Sequence, residues 1–121
     1  MIKRFFILVL ISFILVMGCS VKEKEFTETN NKKIEDIIKE NNYVIVDVRT
    51  EEEFLNGHIK EAINIPYDEI SSDTLLDKNK TILVYCRSGR RSQIAYNTLK
   101  NLGYDAIDLG AYDSINLERS K

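Results

Sequence analysis

Cys86 is the residue around which chemistry can be argued. It closes the apolar run Ile82-Leu83-Val84-Tyr85 and is followed by Arg87-Ser88-Gly89-Arg90-Arg91-Ser92. Thr81 to Tyr85 is β-branched and apolar with no helical period, which predicts a central strand of a parallel sheet. From Ser92 onward Ile94, Ala95, Thr98, Leu99 and Leu102 recur at helical spacing, and Gly103 stands where a C-terminal cap belongs. A thiol between a strand end and a helix start meets unpaired backbone N–H groups and the positive end of a helix dipole. Arg87, Arg90 and Arg91 add positive charge around it. All of these favour thiolate, so Cys86 is expected to be more acidic than the ~8.5 of a free cysteine and to serve as a nucleophile.

The elements that must position this thiol follow from the rest of the chain. Asn30 or Asn31 caps a helix in which Ile34, Ile37 and Ile38 share a face, closed by Asn41-Asn42. Tyr43-Val44-Ile45-Val46-Asp47-Val48 is a second continuous β-branched run and predicts another central strand. Glu51 to Leu55 is a short acidic helix ended by Gly57, and Ala62 to Ile65 a short strand stopped by Pro66. A helical turn is expected over Ser71 to Asp77, and a last strand over Ala106 to Leu109 before Gly110 leads into an irregular tail. Strands alternating with helices in a chain of this size imply one α/β domain with a mostly parallel sheet. Ligands of such folds sit beyond the carboxyl ends of the strands, which is where Cys86 lies.

The N-terminus reads differently. Lys3 and Arg4 precede an almost unbroken apolar run, Phe5 to Val16, too short to span a bilayer comfortably and suited to a signal-peptide core. It ends in Val16-Met17-Gly18-Cys19, which resembles a bacterial lipobox, although Met17 is unusual at the tolerant position. The expectation is that residues 1–18 are removed and that Cys19 carries lipid. The domain would then be held at the membrane, extracytoplasmic or on the periplasmic face of the envelope. An uncleaved anchor or a plain secretory signal is the alternative. Residues 19–31 are polar and aperiodic, a flexible tether in which Phe26 and Thr27 could add an edge strand, and residues 32–121 form the domain. With Cys19 lipidated, Cys86 is the only thiol left of the two cysteines, so no internal disulfide and no dithiol cycle is available. The chain carries 17 cationic and 19 acidic residues; without Lys3 and Arg4 the balance is 15 against 19, a net −4, which argues against a nucleic-acid partner.

Several blocks, in order, resemble the rhodanese family: Asp47-Val48-Arg49, Glu53-Phe54, Gly57-His58-Ile59, Ala62-Ile63-Asn64-Ile65-Pro66, Tyr85 to Ser92, Leu102-Gly103-Tyr104 and Leu109-Gly110. The chain is most similar to single-domain extracytoplasmic rhodaneses, the periplasmic phage-shock sulfurtransferases among them. The resemblance implies a three-layer α/β sandwich with helices flanking the sheet, and sulfur transfer through a persulfide on Cys86. The donor would be thiosulfate or a related small anion and the acceptor cyanide or a thiol, with no cofactor, no metal and a monomeric protein. For such a donor the amides from Arg87 to Ser92 can point inward as an anion nest, with Gly89 supplying backbone freedom. Arg87 and Arg91 are the expected donor-binding cations, with Arg90, Ser88, Gly89 and Ser92 completing the loop. Asp47 is expected to bond loop amides at the rim and Arg49 to pair with Glu51 or Glu53, as active-site support. His58 reads as a fold marker on a turn, because direct thiolate attack requires no added base.

Two other classes of function stay open: a membrane-tethered persulfide carrier serving one protein partner, and a thiol sensor. Rhodanese-fold phosphatases and arsenate reductases carry a cysteine, five residues and then arginine; here that position is Ser92, and Arg91 closes the shorter loop of the sulfurtransferases. Two departures from the family pattern stand out. Glu61 replaces a glycine before Ala62, and Ala111 replaces the second glycine after Leu109-Gly110, with no tryptophan following.

Overall fold

A computed structural model describes residues 33–121. The lipobox, Cys19, the tether with Phe26 and Thr27, and the Asn30-Asn31 cap lie outside the described residues. Residues 33–40 form helix α1, in which Ile34, Ile37 and Ile38 are half-buried, as their spacing predicts. No helix among the described residues is long and apolar enough to cross a membrane.

The sheet-bearing unit runs from Asn41 to Lys121. Its elements are β1 (Tyr43–Asp47), α2 (Glu51–Leu55), β2 (His58–Ile59), β3 (Ile63–Asn64), β4 (Thr81–Cys86), α3 (Arg90–Asn101), β5 (Asp105–Ala111) and β6 (Arg119–Ser120). Four strands pair in the order β3-β1-β4-β5, every pair parallel. The two β-branched runs are therefore the inner strands, because strands covered on both faces carry apolar residues on both. One face carries Val46, Val48, Val84 and Cys86 against Ala95 and Leu99 of α3. The other carries Ile45, Leu83 and Tyr85 against Ile59, Phe54 and the C-terminal segment, including Tyr112 and Ile115. Helix, sheet and helix-plus-tail make three layers.

Local chemistry explains the boundaries. Thr50 caps α2 by accepting from the Glu53 amide while the Glu53 side chain reaches back to the Thr50 amide, a reciprocal capping box. Helix α3 ends as Gly103 anticipates: with Gly103 at φ 91, its N–H donates to the Lys100 carbonyl and that of Tyr104 to the Leu99 carbonyl.

Three expectations fail. The helical turn foreseen over Ser71–Asp77 lies instead at Tyr67–Glu69, straight after Pro66, as one turn of 3-10 helix. Ser71 to Thr74 is held in a reverse turn, the Thr74 hydroxyl accepting from the Ser71 amide and the Ser71 hydroxyl from the Asp73 amide. Short polar side chains that bond nearby amides compete with helix formation. The last strand does not stop at Leu109. An irregularity in register opposite Val84 and Tyr85 leaves Leu109 unpaired and carries β5 through Gly110 to Ala111, which pairs with Cys86. The tail is not irregular either: Tyr112–Ser114 forms a 3-10 turn and β6 pairs antiparallel with β2.

Candidate active site

Cys86 is the last residue of β4, on the α3 face of the sheet, and it is fully buried. Four residues later the chain is already helical, since α3 begins at Arg90 rather than at Ser92. Gly89 makes this abrupt entry: at φ 98 it occupies a region that side chains disfavour, and there its N–H donates to the Cys86 Sγ at 2.9 Å. The backbone amides of Ser88 and Ser92 also face the sulfur. The Ser92 hydroxyl lies 3.5 Å from Sγ and 3.1 Å from the Gly89 carbonyl oxygen. Burial pushes the thiol up, but hydrogen bonds from the Ser92 hydroxyl and from the Ser92, Gly89 and Ser88 amides outweigh it, and Cys86 is held below its ordinary value.

The three arginines part company. Arg87 and Arg90 are exposed and have no carboxylate partner among the described residues. Arg91 is engaged: its Nη1 and Nη2 donate to Glu53 Oε1 and Oε2 at 2.7 and 3.1 Å. The pair draws Glu53 down to about 2, mainly through the Arg91 hydrogen bonds, and raises Arg91. Arg91 also feels the charge of Cys86, and the next residue, Ser92, brings its hydroxyl within 3.5 Å of the sulfur.

Arg49 pairs with neither Glu51 nor Glu53. Its guanidinium embraces the buried carboxylate of Asp47, with Nε at 3.0 Å and Nη2 at 2.6 Å, and Nη2 also donates to the Gly57 carbonyl at 2.7 Å. Asp47 accepts the Arg49 amide at 2.9 Å and the Tyr85 hydroxyl at 2.7 Å, while that hydroxyl accepts the Ile59 amide at 3.0 Å. Arg49 lies over the Tyr112 ring, 4.4 Å from its centroid. Side chains alternate along a strand. With Val46 and Val48 on the α3 face, Asp47 projects to the opposite face, that of Tyr85. Asp47 and Arg49 therefore brace the sheet on the face opposite Cys86. His58 stacks on Phe54 at 3.8 Å with Nδ1 2.9 Å from the Phe54 carbonyl oxygen, a local packing role.

Sequence reasoning offered Glu53 only as a possible partner of Arg49 and did not connect it with Arg91. Glu53 sits 38 positions from Arg91, beyond any local pattern. No group of three or more His, Cys, Asp and Glu is placed to hold a metal among the described residues. A pocket of about 590 Å³ lies between α2 and the Asn64–Glu69 segment, and no residue of the Cys86 loop lines it. Its carboxylates, Glu51, Asp68 and Glu69, oppose an anionic ligand. What the Cys86 loop can do is hold an acidic thiol under converging amides, with free cations at its rim.

Comparison with known proteins gives this arrangement a context. Over 66 residues the chain is 38% identical to thiosulfate sulfurtransferase PspE of Escherichia coli (strain K12), covering 52% of this chain and 64% of that one. It thus spans less than two thirds of that relative's length. A solved rhodanese with anions from E. coli superposes with a TM-score of 0.59 at 33% identity, over 65% of this chain and 98% of the other. A rhodanese-related protein from Thermoplasma volcanium does so with a TM-score of 0.56 at 32% identity, over 61% and 75%. The Rhodanese-like domain model matches residues 30–114, from before α1 to the end of the Tyr112–Ser114 turn, and the chain belongs to the rhodanese-like domain family.

Proposed function

We propose that the domain transfers sulfane sulfur from thiosulfate or a similar small anion to a thiophilic acceptor through a persulfide on Cys86. The observation that carries this reading is the Gly89 N–H held 2.9 Å from the Cys86 Sγ, with the Ser92 hydroxyl 3.5 Å from the same atom. The Cys86 thiolate attacks the outer sulfur of thiosulfate. The new S–S bond forms as the bond to the sulfonyl sulfur breaks, and the electron pair leaves on sulfite. The negative charge now rests on the terminal persulfide sulfur, where the loop amides and the rim cations Arg87 and Arg90 stabilise it. Cyanide or a thiolate then attacks that terminal sulfur, and the electron pair returns to Cys86. No added base is invoked, since the hydrogen bonds around the sulfur favour its ionised form.

Thiocyanate formation from thiosulfate and cyanide by the full chain in detergent, set against Cys86→Ser, tests the reading. Turnover that vanishes in the variant is expected; equal rates in both, or none in either, would remove it. A stoichiometric persulfide passed only to a protein acceptor would identify the carrier instead, and a Cys86 that is oxidised without forming a persulfide the sensor.

The proposal extends to location. The charged start, apolar core and Val16-Met17-Gly18-Cys19 motif support cleavage before Cys19 and a lipid anchor that holds the domain outside the cytoplasm. The mass of the membrane-extracted protein should lack residues 1–18 and include acyl chains; a mass retaining residues 1–18 would reject the anchor.

A further inference from the structure

We infer that Glu53 is a positioning residue for the sulfur-transfer reading above: by binding both terminal nitrogens of Arg91 it fixes that guanidinium beside Cys86 as a neutralised pair, and so lowers the positive charge the site presents to its donor. Arg91 is the one loop arginine with its fork occupied, at 2.7 and 3.1 Å, and both partners are about three-quarters buried. A bidentate fork at this depth fixes orientation as well as charge. Glu53 is itself fixed by the capping box with Thr50, so α2 and the Cys86 loop are tied through one carboxylate. Its charge acts on both neighbouring guanidiniums, Arg91 and Arg49. Arg91 in turn feels the Cys86 sulfur. Arg87 and Arg90, exposed and without carboxylate partners among the described residues, are left as the cations that meet the donor. The site is thereby tuned away from the most highly charged anions and towards donors of lower charge, such as an alkyl thiosulfonate or a persulfide.

Glu53→Gln isolates this charge, because glutamine serves equally well at the third position of a capping box. Freeing the Arg91 cation should move the pH midpoint of Cys86 alkylation by iodoacetamide to lower pH. It should also lower KM for the dianion thiosulfate about five-fold while changing KM for a monoanionic alkyl thiosulfonate less. Thr50→Ala, which removes the capping hydroxyl and leaves the Glu53–Arg91 pair, should leave the midpoint where it is. An unmoved midpoint in Glu53→Gln, or the same shift in Thr50→Ala, would overturn the assignment. The alkylation readout needs no sulfur donor, so it decides the role of Glu53 even if thiosulfate turnover is absent in every form of the protein.

Discussion

The Gly89 amide points at the Cys86 sulfur from 2.9 Å because Gly89 sits at φ 98, a conformation that turns the chain from β4 into α3 within three residues. The contact and the backbone conformation are one feature. A Cβ at Gly89 would meet nothing nearer than the Gly110 Cα at 4.0 Å, so the obstacle to a side chain is torsional and not steric crowding. Gly89→Ala should therefore fold, with a loss of about 1–2 kcal/mol in urea unfolding. Relaxing towards negative φ would swing the amide off the sulfur. Alkylation of Cys86 should then require higher pH and thiocyanate formation should fall at least about ten-fold. Wild-type alkylation in Gly89→Ala would show that the amide does not act on the thiol.

Ser92 has one proton and two acceptors within reach, the Gly89 carbonyl at 3.1 Å and the sulfur at 3.5 Å. While Cys86 is a thiol, its S–H donates to the serine and the serine to the carbonyl; once ionised, the sulfur draws the serine proton. This switch is part of what holds Cys86 below its ordinary value. The thiolate is the charged form, so reactivity is lost as pH falls through the lowered folded value. The linked stability is fullest above the unfolded value of ~8.5 and is lost over the same descent. Ser92→Ala should shift the alkylation profile to higher pH. A profile identical to wild type would leave the amides as the whole cause.

The parts of this arrangement that could be read beforehand are those encoded by consecutive residues. Tyr43 to Val48 and Thr81 to Tyr85 declare inner strands because β-branched and apolar residues fill both of their faces, with Asp47 the one charged exception, and a cysteine at the end of one, followed by a glycine and arginines, declares the thiol site. Gly103 after Leu102 marks a helix end by local hydrogen bonding. What stayed hidden was set by tertiary proximity. Nothing near Arg91 announces Glu53, and Arg49 turns back onto Asp47 because the chain leaves β1 in a tight turn that places the two side chains together. The two-residue strand β6 has no pattern of its own and exists only as a partner for β2. The Leu109 irregularity is invisible for the same reason, since register belongs to a pair of strands.

The Asp47–Arg49 pair predicts an asymmetry in stability. Asp47 is fully buried and Arg49 is 6% exposed, so deleting the cation strands a carboxylate away from water. Arg49→Ala should cost about 3–5 kcal/mol in urea unfolding, whereas the double change Asp47→Asn with Arg49→Met, which removes both charges, should cost clearly less. Because the pair faces away from the sulfur, the alkylation midpoint of Cys86 should stay put in whatever fraction folds. A double variant less stable than Arg49→Ala would show that the ion pair itself, and not the orphaned charge, holds the sheet.

Glu61 offers a gain. It stands where the family pattern has glycine, and its φ of 71 shows why glycine suits the position. A left-handed residue with a Cβ is strained by roughly 1–2 kcal/mol, and Gly would recover most of this while adding some unfolded-state entropy. Glu61 is exposed, and its one notable interaction is with Tyr43, whose phenol it helps raise alongside burial. An exposed contact of that kind contributes little. Glu61→Gly should therefore stabilise the protein by about 1 kcal/mol, a rise of roughly 4–8 °C in Tm for a domain of this size. Glu61→Ala, which keeps the Cβ and loses the carboxylate, should show no such rise. If both variants melt together below wild type, the contact with Tyr43 outweighs the backbone strain. If Glu61→Gly alone gains, the strain at φ 71 is a measurable part of this domain's stability, sited on the turn between β2 and β3 and away from the thiol.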